Sequence, residues 1–456
     1  MTQYRWQMLF AATLMVTAWL TFFGGRIPRL LDRELPAPQN FPSMLGNSMA
    51  PTLFGAHEST HCPHCGHINR FAAESFPAAL YFCGRCREQI KNPKFESQPG
   101  DSVQVQSVEK LNRWDVVLVR DPTEPLRIVK RLVAFPGEKL QIKLGDLWIN
   151  GKRIERTLPQ ILESQVLLFA HYAESTTTPA VNDDTHPTPP VGWRTVTSAN
   201  AEPNTTAEAN TSHIEFVYRE PWNKTPDPQN QNRHAGAIVS DWYAENPAFS
   251  GSLWAVRDQI LELCFLPKAE GELRIGLRNS LSLAPHCLWL EEWNTKWSKN
   301  AWSSGETSVP LQRSDDREIY FQYVMAYVDG AYWLRVNAGY FESERSAFTV
   351  KQTLLEWRKL PVELATPAAL NCDSKVLWAM QFTGVGRWLY RRVARDVHYR
   401  QADAWGESQG IPMIRNVEGY YLLGDNQPIS LDSRQKPGWI QGVPRSWIEG
   451  RIATQK

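Results

Sequence analysis

Two stretches of the sequence hold residue types that could do chemistry. The first is SMLGNSMAPTL, Ser43 to Leu53, in which Ser48 stands in a Gly-Asn-Ser-Met-Ala-Pro run. A serine hydroxyl attacks a carbonyl only when a base takes its proton, and no histidine suited to that task lies beside it. A nucleophilic Ser48 therefore needs a base from elsewhere in the chain. The second stretch is CPHC, then seventeen residues from Gly66 to Phe82, then CGRC. Each Cys-x-x-Cys forms a tight knuckle, and two knuckles supply tetrahedral thiolate coordination. Cys62, Cys65, Cys83 and Cys86 are the candidate ligands of a structural zinc, and His61, His64 and His67 lie close enough for one to substitute. Two disulfides are the competing reading, which an oxidising compartment would favour. Adjacent Cys-x-x-Cys pairs are a poor layout for cross-linking a domain, so zinc is preferred. An open coordination position with a base beside it, as a catalytic zinc requires, is not evident.

The chain has 456 residues, enough for two or three domains with real cores. Its net charge is +1, which gives no bulk attraction to nucleic acid. The basic residues around the knuckles are offset by Glu58, Glu74 and Glu88, so no nucleic-acid partner is expected. Nineteen Trp and 31 Pro favour a β-rich chain with many turns. Of the seven Cys, Cys264, Cys287 and Cys372 read as buried small hydrophobes.

The elements that would carry these residues follow from pattern. Met8 to Phe23 is an uncharged apolar run that nearly spans a bilayer, so residues 6–25 read as a transmembrane anchor. A cleaved signal peptide would need small residues where the chain has TFF. Residues 26–42 read as a juxtamembrane linker. Arg26, Arg29 and Arg33 follow the span and only Arg5 precedes it, which by the positive-inside rule puts the large domain in the cytoplasm. Short β-like runs are predicted at Ser102 to Val108, Asp115 to Val119, Ile128 to Val133, Lys139 to Lys143 and Leu147 to Ile149. Residues 173–236 are rich in Thr, Pro, Asn and Ala and read as a low-complexity excursion, with HIEFVYRE as one strand inside it. Residues 237–350 read as a β-sandwich-like block: QILELCFLPKAEGELRIGLRN gives strand, turn, strand, and Asp329-Gly330 is a hairpin signal. Residues 351–411 read as a connecting region, and Ser374 to Arg400 shows mixed periodicity with no assignable element.

GNSMAPTL resembles the nucleophile box of the bacterial type I signal peptidases, membrane-bound serine proteases that remove signal peptides. Three more pieces match in family order: RWDVVLV, RIVKRLVAFPGE and YYLLGDNQPISLDSR, with GVPRSWIEGRI fitting the family's close. Together they cover about a third of the chain. The resemblance implies a Ser/Lys dyad with Ser48 as nucleophile and Lys130 as general base, and no cofactor for catalysis. Lysine holds its proton up to a pKa of about 10.4, so Lys130 must be buried to act as a base. Its apolar flanks suit that, and on a strand it would share a face with Ile128 and Leu132 while Arg131 points the other way. The resemblance further implies that the Ser48 N–H serves an oxyanion hole and that Gly46 stands where some members carry a hydroxyl. It implies that Ser430 orients the lysine by a hydrogen bond, that Asp432 and Arg434 support the site as an ion pair, and that Asp425 and Asn426 shape its wall. Gln427 to Ile429 departs from the Arg-Asp-Asn common in the family.

The fold implied is mainly β: an all-β catalytic core from residues 43–56, 99–155 and 412–453, a zinc-ribbon insertion at 57–98, and the β-rich insertion. Omitting 57–98 shortens the Ser48 to Lys130 spacing to about forty positions, similar to single-span members. The partners implied are signal peptides of exported preproteins and the lipid bilayer of a bacterial cytoplasmic membrane. Preproteins emerge outside the cytoplasm, so the catalytic domain is expected there, against the charge bias. Two other readings are a self-cleaving Ser/Lys protease and a silent scaffold that binds exported proteins. The long inserts disfavour the first, and the intact dyad the second.

Overall fold

The computed structural model describes residues 39–41, 44, 46–73, 77–78, 80–86, 88–143, 145–172, 192–195, 211–217, 243–247, 256, 258–279, 289–311, 318–329, 331–341, 348–359, 376–383, 386–400 and 413–453. The apolar run at Met8 to Phe23 and its basic linker lie outside the described residues, except for the end of the linker. Among the described residues no helix is long and apolar enough to cross a membrane.

The chain is mainly β, as its composition predicts. Among the described residues five sheets carry it. The first has six strands in the order Gln39–Phe41, Val103–Gln106, Ile448–Ala453, Val116–Val119, Ile128–Ala134 and Tyr421–Leu423. Its pairings are antiparallel, with Lys130 opposite Val117. Alternation along Ile128–Ala134 sorts side chains onto two faces. Val129 packs with Met49, Leu53, Val105 and Ile452 on one face, while Ile128 and Leu132 pack with Val117, Trp439 and Val443 on the other. Beside it lies a four-stranded sheet of Lys152–Arg153, Asp146–Ile149, Lys139–Lys143 and Met413–Asn416. The strand runs read from the sequence between Ser102 and Ile149 all fall on these strands.

The larger body is two sheets around one core. One sheet runs Val166–Tyr172, Gly386–Arg395, Gln259–Pro267, Tyr320–Val328, Ala331–Phe341 and Phe348–Lys359. The other runs Gly192–Thr195, Thr211–Val217, Val376–Thr383, Gly271–Asn279, Trp289–Trp297, Ala301–Ser304 and Thr307–Pro310. The strand read at HIEFVYRE is Thr211–Val217, and it pairs with Val376–Thr383. Tyr320–Val328 and Ala331–Phe341 form a two-residue hairpin, Val328 opposite Ala331, with Asp329 at φ 51. Gln259–Pro267 and Gly271–Asn279 do not pair with each other: the short link between them crosses from one sheet to the other. The two sheets extend past residues 237–350 in both directions, taking strands from 166–217 and 376–395.

Aromatic rings fill the space between them. Phe265 alone meets Trp297, Phe321, Tyr323, Phe382 and Trp388 with ring centroids 5.0 to 5.9 Å apart. Buried rings with polar tips need partners. The Tyr323 hydroxyl accepts from Trp302 Nε1 at 2.9 Å and shares a hydrogen bond with Thr295 Oγ1 at 2.9 Å.

Arg156 fastens the core to this body. It follows Lys152–Arg153 and donates to Asp329 at 2.9 Å and Asp396 at 2.9 Å, all at buried positions. The third small sheet, Ile68–Ala72, His57–His61 and Glu96–Gln98, carries the Cys-x-x-Cys pairs.

Candidate active site and metal centre

Ser48 sits in a loop folded tightly on itself. The Asn47 side chain, 1% exposed, donates to Ala56 O at 2.9 Å and accepts from Gly55 N–H at 3.0 Å. Leu53 N–H donates to Met49 O at 3.0 Å. Alternation along Ile128–Ala134 brings Lys130 to this loop, and its Nζ lies 2.5 Å from Ser48 Oγ. Two residues 82 positions apart are thus within hydrogen-bond reach. Lys130 is 2% exposed. Burial lowers its pKa to about 8 from an ordinary 10.5, against the pull of Asp432 and Asp425 and with the help of Arg434 and Lys436.

The turn after Tyr421–Leu423 walls the site. Asn426 N–H donates to Ser48 O at 3.0 Å and its side-chain amide donates to Asn47 O at 3.1 Å. Asp425 accepts two hydrogen bonds from Arg131, at 2.8 and 2.7 Å, and one from Thr52 Oγ1 at 2.5 Å. Arg131 leaves the strand on the face opposite Lys130 and is as buried as Lys130 itself. A bidentate arginine neutralises a carboxylate that would otherwise be stranded in the interior. Asp432 and Arg434 pair in the same way at 2.8 and 2.9 Å, and Asp432 also accepts from Gly424 N–H at 3.0 Å. Burial alone would raise the Asp432 pKa, but Arg434 and the Gly424 N–H hold it below the usual carboxylate value. Gly424 is required by space: a Cβ there would meet Ser430 Oγ at 2.1 Å and Ser48 O at 2.5 Å.

Ser430 is fully buried beside Gly424, but its hydroxyl makes no hydrogen bond, so the bond to Lys130 implied by the resemblance is not made here. Gly46 is exposed and has no atom within 4 Å of where a Cβ would stand, so it offers the site no side-chain donor. Sequence reasoning missed Arg131 as a partner of Asp425, and it missed Tyr243 and Asn246. Tyr243 OH donates to Asp425 O at 2.5 Å, and Asn246 exchanges hydrogen bonds with the Asn426 amide at 2.6 and 3.0 Å. Nothing in a Trp-Tyr-Ala-Glu-Asn run signals such a reach.

The four cysteines gather as their spacing predicts. Cys62 and Cys86 sulfurs are 3.6 Å apart, as are Cys65 and Cys83, and none forms a disulfide. All four lie within 4.8 Å of one another, and His61, His64 and His67 stay outside the group. Tetrahedral bonds of about 2.3 Å to zinc put thiolates about 3.8 Å apart, so the residues present fit a metal ion. The Cys65 and Cys86 thiols, helped by backbone N–H groups of Cys86 and Arg85 that point at its Sγ, hold the Cys83 pKa well below the ordinary thiol value, and the hydrogen bond to Cys83 pushes Cys65 up to about 12. Gly66 at φ +68 closes the first knuckle. A second group, Asp146, Asp258 and Asp329, also brings one carboxylate oxygen each within 4.8 Å, next to Arg153 and Arg156. Burial and the neighbouring Asp329 raise the Asp146 pKa to about 7.

The family described as "Signal peptidase, peptidase S26" matches residues 72–208. Over part of its length the chain is similar to the signal peptidases. Signal peptidase I T of Bacillus subtilis is 40% identical over 50 residues, 11% of this chain and 26% of that one. Signal peptidase I of Rickettsia rickettsii is 43% identical over 47 residues, 10% of this chain and 18% of that one. The chain thus spans about a quarter or less of these signal peptidases. The family match takes in Lys130 but starts after Ser48 and ends before Asp425. Among solved structures, an alginate lyase of Pseudomonas aeruginosa is 11% identical, covers 57% of this chain and 98% of its own, and has a TM-score of 0.23. Peanut lectin is 8% identical, covers 49% and 96%, and has a TM-score of 0.22. At such scores neither likeness carries weight for this signal peptidase relative.

Proposed function

We propose that the protein is a membrane-anchored serine endopeptidase that removes signal peptides from exported preproteins. The observation that carries this reading is a buried Lys130 amine, with its pKa brought down to about 8, at 2.5 Å from Ser48 Oγ. Neutral Lys130 takes the Ser48 proton as the hydroxyl attacks the scissile carbonyl. It passes that proton to the departing amine, and an acyl-enzyme on Ser48 remains. Lys130, neutral again, then activates water to release it. The Asp432–Arg434 pair keeps a carboxylate from fixing the proton on Lys130, and Asp425–Asn426 hold the nucleophile loop. No cofactor takes part. Cys62, Cys65, Cys83 and Cys86 hold a zinc ion that organises the 57–98 insertion and has no chemical step. The core is residues 43–56, 99–155 and 412–453. The anchor is residues 6–25, and the catalytic domain faces the extracytoplasmic side, with the linker arginines against the outer headgroups.

The test is the purified protein with a model preprotein, beside Ser48→Ala and Lys130→Ala. Cleavage at the signal sequence by wild type alone is expected, and an inert wild type ends the reading. Protease treatment of intact spheroplasts tests the orientation, and a fully protected domain would refute it.

A further inference from the structure

Residues 243–247 lie far in sequence from both the nucleophile and the cysteines, yet they touch the surroundings of each. At one end Glu245 O accepts from Ala72 N–H at 2.9 Å, and Ala244 packs with Phe82, its Cβ 3.2 Å from where a Gly84 Cβ would stand. Those contacts fall on the cysteine-bearing insertion, Gly84 lying between Cys83 and Cys86. At the other end Tyr243 OH holds Asp425 O, and Asn246 is paired in both directions with Asn426. Asn426 in turn grips Ser48 O and Asn47 O. Tyr243 is 1% exposed and the Arg395 guanidinium lies 4.5 Å from its ring centroid, which fixes the segment to the larger β body. These are buried, paired polar groups, and buried pairs are costly to leave half made.

We infer that residues 243–247 are a strap that positions the nucleophile: Tyr243 and Asn246 hold the Asp425–Asn426 turn against Ser48 and tie its placement to the cysteine-bearing insertion. This rests on the proposed peptidase reading. Tyr243 and Asn246 touch no reacting atom and are positioning residues. With either hydrogen bond lost, the turn loosens, Ser48 drifts from Lys130, and water reaches the amine.

Tyr243→Phe keeps the ring on Arg395 and removes one hydroxyl. Asn246→Ala removes the amide pair. Ala244→Glu disturbs only the end next to Phe82. In each folded variant, amide exchange in the peptide 420–434 is expected to quicken by about tenfold, and kcat to fall by about tenfold with KM within about twofold. The acid limb of the pH profile should move to higher pH, because a wetter Lys130 holds its proton longer. A merely structural contact would lower Tm and leave that limb in place. Unchanged exchange at 420–434 in Tyr243→Phe and Asn246→Ala, or quickened exchange with kcat and the acid limb unmoved, overturns the strap. Wild type that cleaves no preprotein ends the peptidase reading instead, and the exchange measurement still decides whether the strap holds the turn.

Discussion

Lys130, the base of the proposed reaction, also carries a cost to stability. Its folded pKa of about 8 lies below the ordinary 10.5. Between those two values the unfolded chain binds more protons than the folded one, so stability rises with pH across that window. Below it the folded state bears the whole penalty, about 3 kcal/mol from a shift of that size. Lys130→Met should therefore raise Tm at pH 7, and the gain should shrink between pH 8 and 10.5; thermal melts across that range check it. The same variant should lower kcat/KM by about four orders of magnitude, as should Ser48→Ala. In wild type, kcat/KM should climb with pH to a plateau above about 8 as the amine loses its proton. Arg434→Met leaves Asp432 uncompensated beside the amine, so the acid limb should move to higher pH, read from kcat/KM profiles of the two proteins.

At the scale of elements, the strand Ile128–Ala134 and the turn 424–434 make the site between them. Arg131→Met would leave Asp425 buried with its bidentate partner gone, and about 3 to 5 kcal/mol should be lost in a denaturant titration. This is also where sequence reading divides. The short boxes were singled out by their resemblance to the signal peptidases, and the apolar run around Lys130 already implies its burial. The pairing of Arg131 with Asp425 spans 294 positions, and that of Asn246 with Asn426 spans 180. Neither follows from local pattern: strand pairing brings Arg131 to the turn that holds Asp425, and Asn246 lies in a turn outside any strand. The strand Gly386–Arg395 was illegible for another reason. Arg395 is fully buried beneath Tyr243, so a charged residue occupies an inward position and breaks the alternation that marks a strand. Ser430 shows the opposite failure: the resemblance implies a hydrogen bond from its hydroxyl to Lys130, and that hydroxyl makes none.

Across the whole molecule, the cysteine-bearing insertion follows directly on the nucleophile loop. Ala56 O, which anchors Asn47, is one residue from the strand His57–His61. The purified protein should carry about one zinc per chain by elemental analysis, and a strong chelator should remove it and speed exchange in 57–98 first. Cys83→Ala should abolish the metal signal; an unaltered signal would show that the ion is held elsewhere. The β body was readable as a sandwich from its hairpin and aromatic strands. Its extent was not, because strands from 166–217 and 376–395 join it from outside the obvious block.

Lys130 and Arg131 are neighbours on one strand, and the pleat sends one to Ser48 and the other to Asp425. Slippage of that strand by a single position would deliver a guanidinium to the hydroxyl. Such a group never deprotonates near neutrality and could not take the proton, and the same slip would exchange Val129 and Leu132 between the two cores they fill.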